Sequence, residues 1–290
     1  MDLALRPRSA SEIVDAAVRL IRRHARAFLT LAAVGAVPRL LLAAVNFALT
    51  RNAAADLTAA ARAGGTPNPF SLFSGPYLLV TLVSLLVYAV FEGAFANLTD
   101  EALRAGTPTV GRALARGMAR AGSVVVTFLV VAVVTFVGLL FLVVPGVYLG
   151  VRLYPAVITA ALEDVGPGEA LGRAWRRTGG SVGRGFLVYL LVLLIAILVG
   201  IAGVTVCGLV GAGIGAAAGG TAGALVGGIG AGAAANVLMA LLIYPMLSAA
   251  GTLFYYDTRV RSEGLDVELM ADALGGPAGA GSGAGYGSGY

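Results

Sequence analysis

Three ionisable residues stand where the surrounding sequence is almost wholly apolar: Arg39 in "VGAVPRLLLAAV", Glu92 in "VYAVFEGAFANL" and Arg152 in "GVYLGVRLYPAV". An ionised side chain near the centre of a bilayer-spanning helix costs about 2.5–3.5 kcal/mol on insertion scales, so each needs a partner or water. Counting along helices puts Arg39 near the midplane, Glu92 about two turns from the arginine-rich side and Arg152 about two turns from the other side. An Arg39–Glu92 pair is within reach of a flexible arginine. The chemistry this set offers is a structural ion pair or a path for a substrate or proton.

Other chemistry-bearing patterns lose their usual meaning in this chain. "GGSVG" at Gly179–Gly183 has the form of a nucleophile elbow, but it follows an amphipathic helix instead of a strand, so a hydrolase is not expected. His24 is the single histidine and lacks a second metal ligand, and one cysteine, Cys207, makes neither a disulfide nor a zinc site. No metal and no cofactor is expected. The run "GAGIGAAAGGTAGALVGGIGAG", Gly211–Gly232, cannot be a P-loop because the chain has no lysine. Gly203, Gly211, Gly215, Gly219, Gly223 and Gly227 share a four-residue spacing, a glycine zipper that on a helix would let another backbone approach.

The elements that must position these residues are set by composition. Hydrophobic residues make up 58% and charged residues 12% of the 290, against roughly half and a quarter in soluble domains. Uncharged stretches run over Ala63–Phe91, Ala121–Val151 and Gly185–Tyr256, and about 20 apolar residues cross a bilayer as helix. The reading is an all-α polytopic membrane protein of about six transmembrane helices, near 27–49, 77–98, 123–144, 146–163, 185–206 and 234–256, in three hairpins. Gly185–Tyr256 leaves a choice between two spans with a re-entrant hairpin and four spans. Residues 1–274 form one membrane domain and 275–290 a disordered Gly/Ser-rich tail. The six arginines and patterned segment ahead of the first apolar stretch do not read as a cleavable leader.

All 20 basic residues are arginine. Sixteen fall in the four segments on one side of the predicted hairpins and two, Arg51 and Arg62, on the other. That bias places both termini in the cytoplasm and the chain in the cytoplasmic membrane. The pI of about 9.7 then points to anionic lipid headgroups and not to nucleic acid.

Each hairpin is preceded by a short amphipathic helix expected to lie at the interface. In "SASEIVDAAVRLIRRHAR" Ser9 and Glu12 have capping-box spacing and Ile13, Ala17 and Ile21 share a face. In "TPTVGRALARGMARAG" Thr107 is the expected cap, Val110, Leu114 and Met118 form one stripe, and Arg112, Arg116 and Arg120 the other. In "GPGEALGRAWRRTGG" Leu171 and Trp175 oppose Arg173 and Arg177. These arginines, with Trp175 and the Asp257, Arg259 and Arg261 of "YDTRVRSEG", are the candidate contacts to headgroups or protein partners, a second copy of the chain included.

"LRPRSASEIVDAAVRLIRRH", "PGVYLGVRLYPAVITAALEDVGPGEALGRAW" and "FYYDTRVRSEGLDVELM" resemble, in order, the membrane domain associated with glycerophosphoryl diester phosphodiesterases. The matching positions are Arg6, Pro7, Glu12, Pro145, Arg152, Glu163, Ala170, Tyr256, Asp257, Arg259, Arg261, Glu263 and Gly264. The resemblance implies a multi-pass helical module, here in stand-alone form, and carries no catalytic barrel. The expected function is non-enzymatic, organising lipids or partner proteins; the alternative is a small-substrate transporter using Arg39, Glu92 and Arg152.

Overall fold

A computed structural model describes residues 8–62 and 75–263. Arg6, Pro7, Gly264 and the 275–290 tail lie outside them. The described residues form eight helical elements and no strand: α1 (Ala10–Arg23), α2 (Ala25–Arg62), α3 (Gly75–Arg104), α4 (Val110–Ala119), α5 (Ala121–Phe141), α6 (Val143–Leu162), α7 (Pro167–Thr178) and α8 (Val182–Glu263). Six helical stretches are long and apolar enough to cross a membrane: Ala25–Asn46, Gly75–Arg104, Ala121–Phe141, Val143–Leu162, Val182–Ala217 and Val237–Glu263. The order is a short amphipathic helix followed by a long pair, three times over.

α8 is one hairpin. Its helix breaks at Gly219 and Gly220, and Gly220, with φ 61° and ψ −136°, occupies a region open essentially to glycine alone. The two limbs fold back on each other. Gly200 faces Met239, Gly203 faces Leu238 and Gly185 faces Phe254, the paired numbers centring on the break. The glycine run is therefore helical on both sides of a turn, and neither a third span pair nor a separate re-entrant loop interrupts it. At Gly219 an added Cβ would meet nothing within 4 Å, so this position does not serve a close helix approach.

The short helices bury one face each against the long ones. α1 starts with the expected capping box, Glu12 N–H to Ser9 Oγ at 3.3 Å and Ser9 N–H to Glu12 Oε2 at 2.8 Å. Its Ile13, Val14, Ala16, Ala17 and Leu20 are buried against the α8 limbs and the lower part of α3, with Ile21 partly so.

α4 corrects one expectation. α4 begins after Thr109, not Thr107, because the Thr109 N–H is held by Glu101 Oε2 at 3.0 Å and the helix starts beyond it. Its buried seam runs through Ala113 and Gly117, and Met118 faces outward. A Cβ on Gly117 would lie 2.8 Å from the Ala94 backbone nitrogen, so this packing is a backbone-to-backbone approach that large side chains cannot make. In α7 the seam is Ala170, Ala174 and Thr178, while Trp175 lies at its edge. Small residues, not the bulky ones of the apolar stripe, mark the closest contacts in both helices.

α7 runs alongside α6, pinned at Glu163 by Arg173 and Arg177 and eleven residues away at Arg152, whose carbonyl accepts from Thr178 Oγ1 at 3.2 Å.

Candidate functional site

The three intramembrane ionisable residues divide between two places. Arg39 on α2 points into rings: its Cζ lies 4.1 Å from the Tyr244 ring centre, 5.7 Å from that of Phe91 and 5.8 Å from that of Tyr88. Three aromatic faces around one guanidinium hold the cation by their quadrupoles. Its Nη1 is buried without a hydrogen bond. The same guanidinium borders a cavity of about 240 Å³ between α2, α3 and the second limb of α8, lined also by Asn46, Ser84, Tyr88 and Tyr244.

Glu92 lies on α3 beside this cage but does not line the cavity and forms no ion pair with Arg39. It is buried, and Tyr154 Oη donates to its Oε1 at 2.6 Å. The Ser248 hydroxyl approaches the same carboxylate without completing a hydrogen bond. The expected Arg39–Glu92 bridge is thus replaced by a ring cage on one side and a phenol on the other. Gly35, directly beneath the Phe91 ring at 2.8 Å from a would-be Cβ, is what lets that ring sit against α2.

Arg152 is elsewhere. Its Nη2 donates to the Trp175 carbonyl at 2.7 Å and its Nη1 to Tyr148 Oη at 2.9 Å, with the guanidinium 3.6 Å from the Trp175 ring centre. Tyr148 meets Trp175 edge-on at 6.5 Å. Trp, Tyr and Arg together are the side chains that settle at a membrane–water boundary. Arg152 therefore lies at the level of α7.

The other nominated residues form ionic locks between the helix ends. Glu163 accepts from Arg173, from Arg177 Nη1 at 2.6 Å and from Tyr255 Oη at 2.6 Å. Arg177 also reaches Glu263 at 2.5 Å, and Glu263 receives Arg259 at 2.8 Å. Burial pushes the Glu163 carboxyl up, but the hydrogen bonds from Arg177, Tyr255 and Arg173 outweigh it and hold the group below the usual carboxylate value. A second lock centres on Asp257, whose side chain is 1% exposed: Arg184 at 2.7 Å, Arg261 at 3.1 Å and the Arg8 N–H at 2.8 Å converge on it. Arg261 also donates to the Arg8 carbonyl, tying the N-terminal segment to the end of α8. A third joins α3 to α4, with Glu101 facing Arg116 at 3.2 Å and Arg112 at 3.5 Å. Arg120 pairs with Asp164 at 3.5 Å.

Arg112, Arg116, Arg120, Arg173, Arg177, Arg259 and Arg261 are thus engaged inside the protein. Arg19, Arg22, Arg23 and Arg26 are not: all four are exposed, and none forms an ion pair among the described residues. Arg22, Arg23, His24 and Arg26 border an open groove of about 460 Å³, closed on its other side by Gly106, Thr107 and Pro108. Partial burial, then the nearby Arg23 charge, lowers the His24 pKa, so the groove's fixed charge comes from the arginines. The run "RLIRRHAR" signalled this in sequence by having one acidic residue, Asp15, within reach along the helix. The arginines nominated from the sequence as headgroup or partner contacts have acidic partners within the protein.

No family model, curated protein or solved structure matches this chain.

Proposed function

We propose that the chain is a non-enzymatic multi-pass module of the cytoplasmic membrane that organises anionic lipids, with its termini and its arginine-bearing helices on the cytoplasmic side. The observation that supports this is the division of labour among the arginines. Those near a carboxylate lock α3, α4, α6, α7 and α8 to one another, and the exposed Arg22, Arg23 and Arg26 border a groove where α1 joins the first long helix. Arginine near an anionic leaflet contributes about 1 kcal/mol each, roughly a fivefold preference.

The test is lipid selectivity in bilayers that mix phosphatidylglycerol with phosphatidylcholine, measured by the ratio of the two retained around the purified protein. The triple variant Arg22→Gln, Arg23→Gln, Arg26→Gln should lose most of the wild-type preference for phosphatidylglycerol. An unchanged ratio in a folded variant removes the assignment.

We also propose that the chain is related to the membrane domain associated with glycerophosphoryl diester phosphodiesterases. In support, several positions that carry the resemblance, Arg152, Glu163, Tyr256, Asp257, Arg259, Arg261 and Glu263, are those that build the helix-end contacts.

A second reading, a small-substrate transporter, draws on the cavity beside Arg39. It is weakened because Glu92 and Arg152 do not line that cavity. Flux of a small anion into proteoliposomes that is abolished by Arg39→Gln would establish it, and flux equal to empty liposomes would end it.

A further inference from the structure

The α5–α6 hairpin ends in bulky, exposed apolar side chains. Its connection, "FVGLLFLVVPGVYLG" from Phe136 to Gly150, contains no charged residue and one hydroxyl, that of Tyr148. Phe141, Leu142, Val143 and Val144 form the tip, and they are 68–80% exposed. A turn that emerges into water has no reason to present its largest apolar side chains there.

The backbone of the tip suits a place without water. A helix start leaves four N–H groups without intrahelical partners, and in hydrocarbon each is costly. Here the Leu142 N–H bonds to the Gly138 carbonyl at 3.0 Å, and the Gly146 N–H returns to the Leu142 carbonyl at 3.3 Å. Pro145 brings no N–H at all. Only the Val143 and Val144 amides remain of the first turn's donors. The two helices can turn this tightly because Gly138 lies against Gly146, where an added Cβ would be 2.8 Å from the opposing Cα.

Depth can be read from α7. This helix carries Glu169, Arg173, Arg176 and Arg177 in twelve residues, so it does not sit among acyl chains. It flanks α6 from Glu163 up to Arg152, where the Trp175–Arg152–Tyr148 cluster marks the boundary. Lipid contact along that side of α6 therefore starts near Arg152. From there to Val143 is nine residues, a rise of about 14 Å, against ~30 Å for the hydrocarbon layer. The first limb of α8 runs 36 residues, Val182–Ala217, and α2 has 38, so those elements have length to spare.

We propose that the α5–α6 hairpin dips into the leaflet on the α7 side and turns back within it, its tip surrounded by the acyl chains of that leaflet. Four of the six long apolar helices then cross, and the two ends of every arginine-rich segment keep the same side. A hairpin that occupies one leaflet and not the other is a wedge, and the membrane around it is expanded on one face. This inference rests on the chain being embedded in a bilayer and not on the headgroup reading above.

The test replaces Cys207 by Ala and places single cysteines by Leu142→Cys, Val144→Cys and, one turn down, Leu140→Cys, in full-length protein in phosphatidylcholine–phosphatidylglycerol proteoliposomes. None of the three should react with a membrane-impermeant maleimide from either side. Nitroxides attached there in detergent before reconstitution should be open to oxygen and closed to a water-soluble nickel chelate, at a depth near the bilayer centre. Maleimide labelling from the side opposite α7, or a nitroxide depth at the opposite headgroups, overturns the proposal. So does spin–spin broadening with loss of oxygen access, which would show a second copy of the chain covering the tip. Leu140→Cys, which lies on the helix below the turn, serves if a tip variant does not fold.

Discussion

Glu163→Gln should destabilise the protein by about 2–3 kcal/mol, and by less in acid. The carboxylate sits where α6 ends and receives Arg173 and Arg177 from α7 and Tyr255 from α8, so its charge joins three elements. Removing one partner of a buried ion pair costs about 3–5 kcal/mol, because the other charge is left uncompensated. Two features lower that figure here. The Glu163 side chain is 13% exposed, so water screens part of the loss, and glutamine keeps an oxygen that can accept from Tyr255. Arg177, 8% exposed, retains Glu263. Thermal unfolding in detergent at pH 7 should fall by roughly 5–10 °C, taking 2–4 °C per kcal/mol for a chain of this size.

The pH dependence follows from the sign of the shift. The carboxyl is lower in the folded protein than its ordinary value of 4.5, so its contribution is complete above that value and is lost as pH falls through the lower folded one. Wild type and variant should therefore draw together as pH falls from 4.5 through that lower value. A change of less than 1 °C at pH 7, or a gap that stays constant down to pH 3, would refute the reasoning.

Asp257→Asn should cost about 3–5 kcal/mol, since Arg184 and Arg261 lose a carboxylate that is 1% exposed; limited proteolysis should then cut near Arg8, which that carboxylate anchors. Gly117→Val should cost about 1–3 kcal/mol by forcing α4 off the Ala94 backbone, read as a lower unfolding temperature, whereas Gly111→Ala, open to solvent on the same helix, should be neutral. Tyr154→Phe removes the donor to buried Glu92 and should cost about 1–3 kcal/mol in the same assay. Gly220→Ala, at a positive φ, should weaken the turn of α8 and raise protease cleavage between its limbs without unfolding the collar of short helices.

Helix type and order were legible because they depend on local pattern. The Ser9–Glu12 capping box, the amphipathic stripe of α1 and the six apolar stretches are all present as expected. Side-chain partners were not legible, because they are decided across the fold. Asp257 finds Arg184 73 positions away and the Arg8 amide 249 away, and no spacing rule announces either. The same cause explains Arg39 and Glu92. Helical counting put them within reach, but Phe91, Tyr88 and Tyr244 filled the space around the guanidinium and Tyr154 took the carboxylate. The closest approaches of α4 and α7 were not legible because hydrophobicity points to Met118 and Trp175, while those contacts are made by Gly117, Ala113, Ala170 and Ala174.

The proposed arrangement in the membrane requires α4 and α7 to face the same side, and one labelling experiment addresses that directly. In a Cys207→Ala background, cysteines introduced by Gly111→Cys on α4 and Gly168→Cys on α7 occupy open positions where an added Cβ meets nothing. Both should react with an impermeant maleimide only when it is supplied to the cytoplasmic face of oriented membrane vesicles. Reaction of the two from opposite faces would contradict the arrangement on which the ionic locks, the headgroup groove and the one-leaflet hairpin all rest.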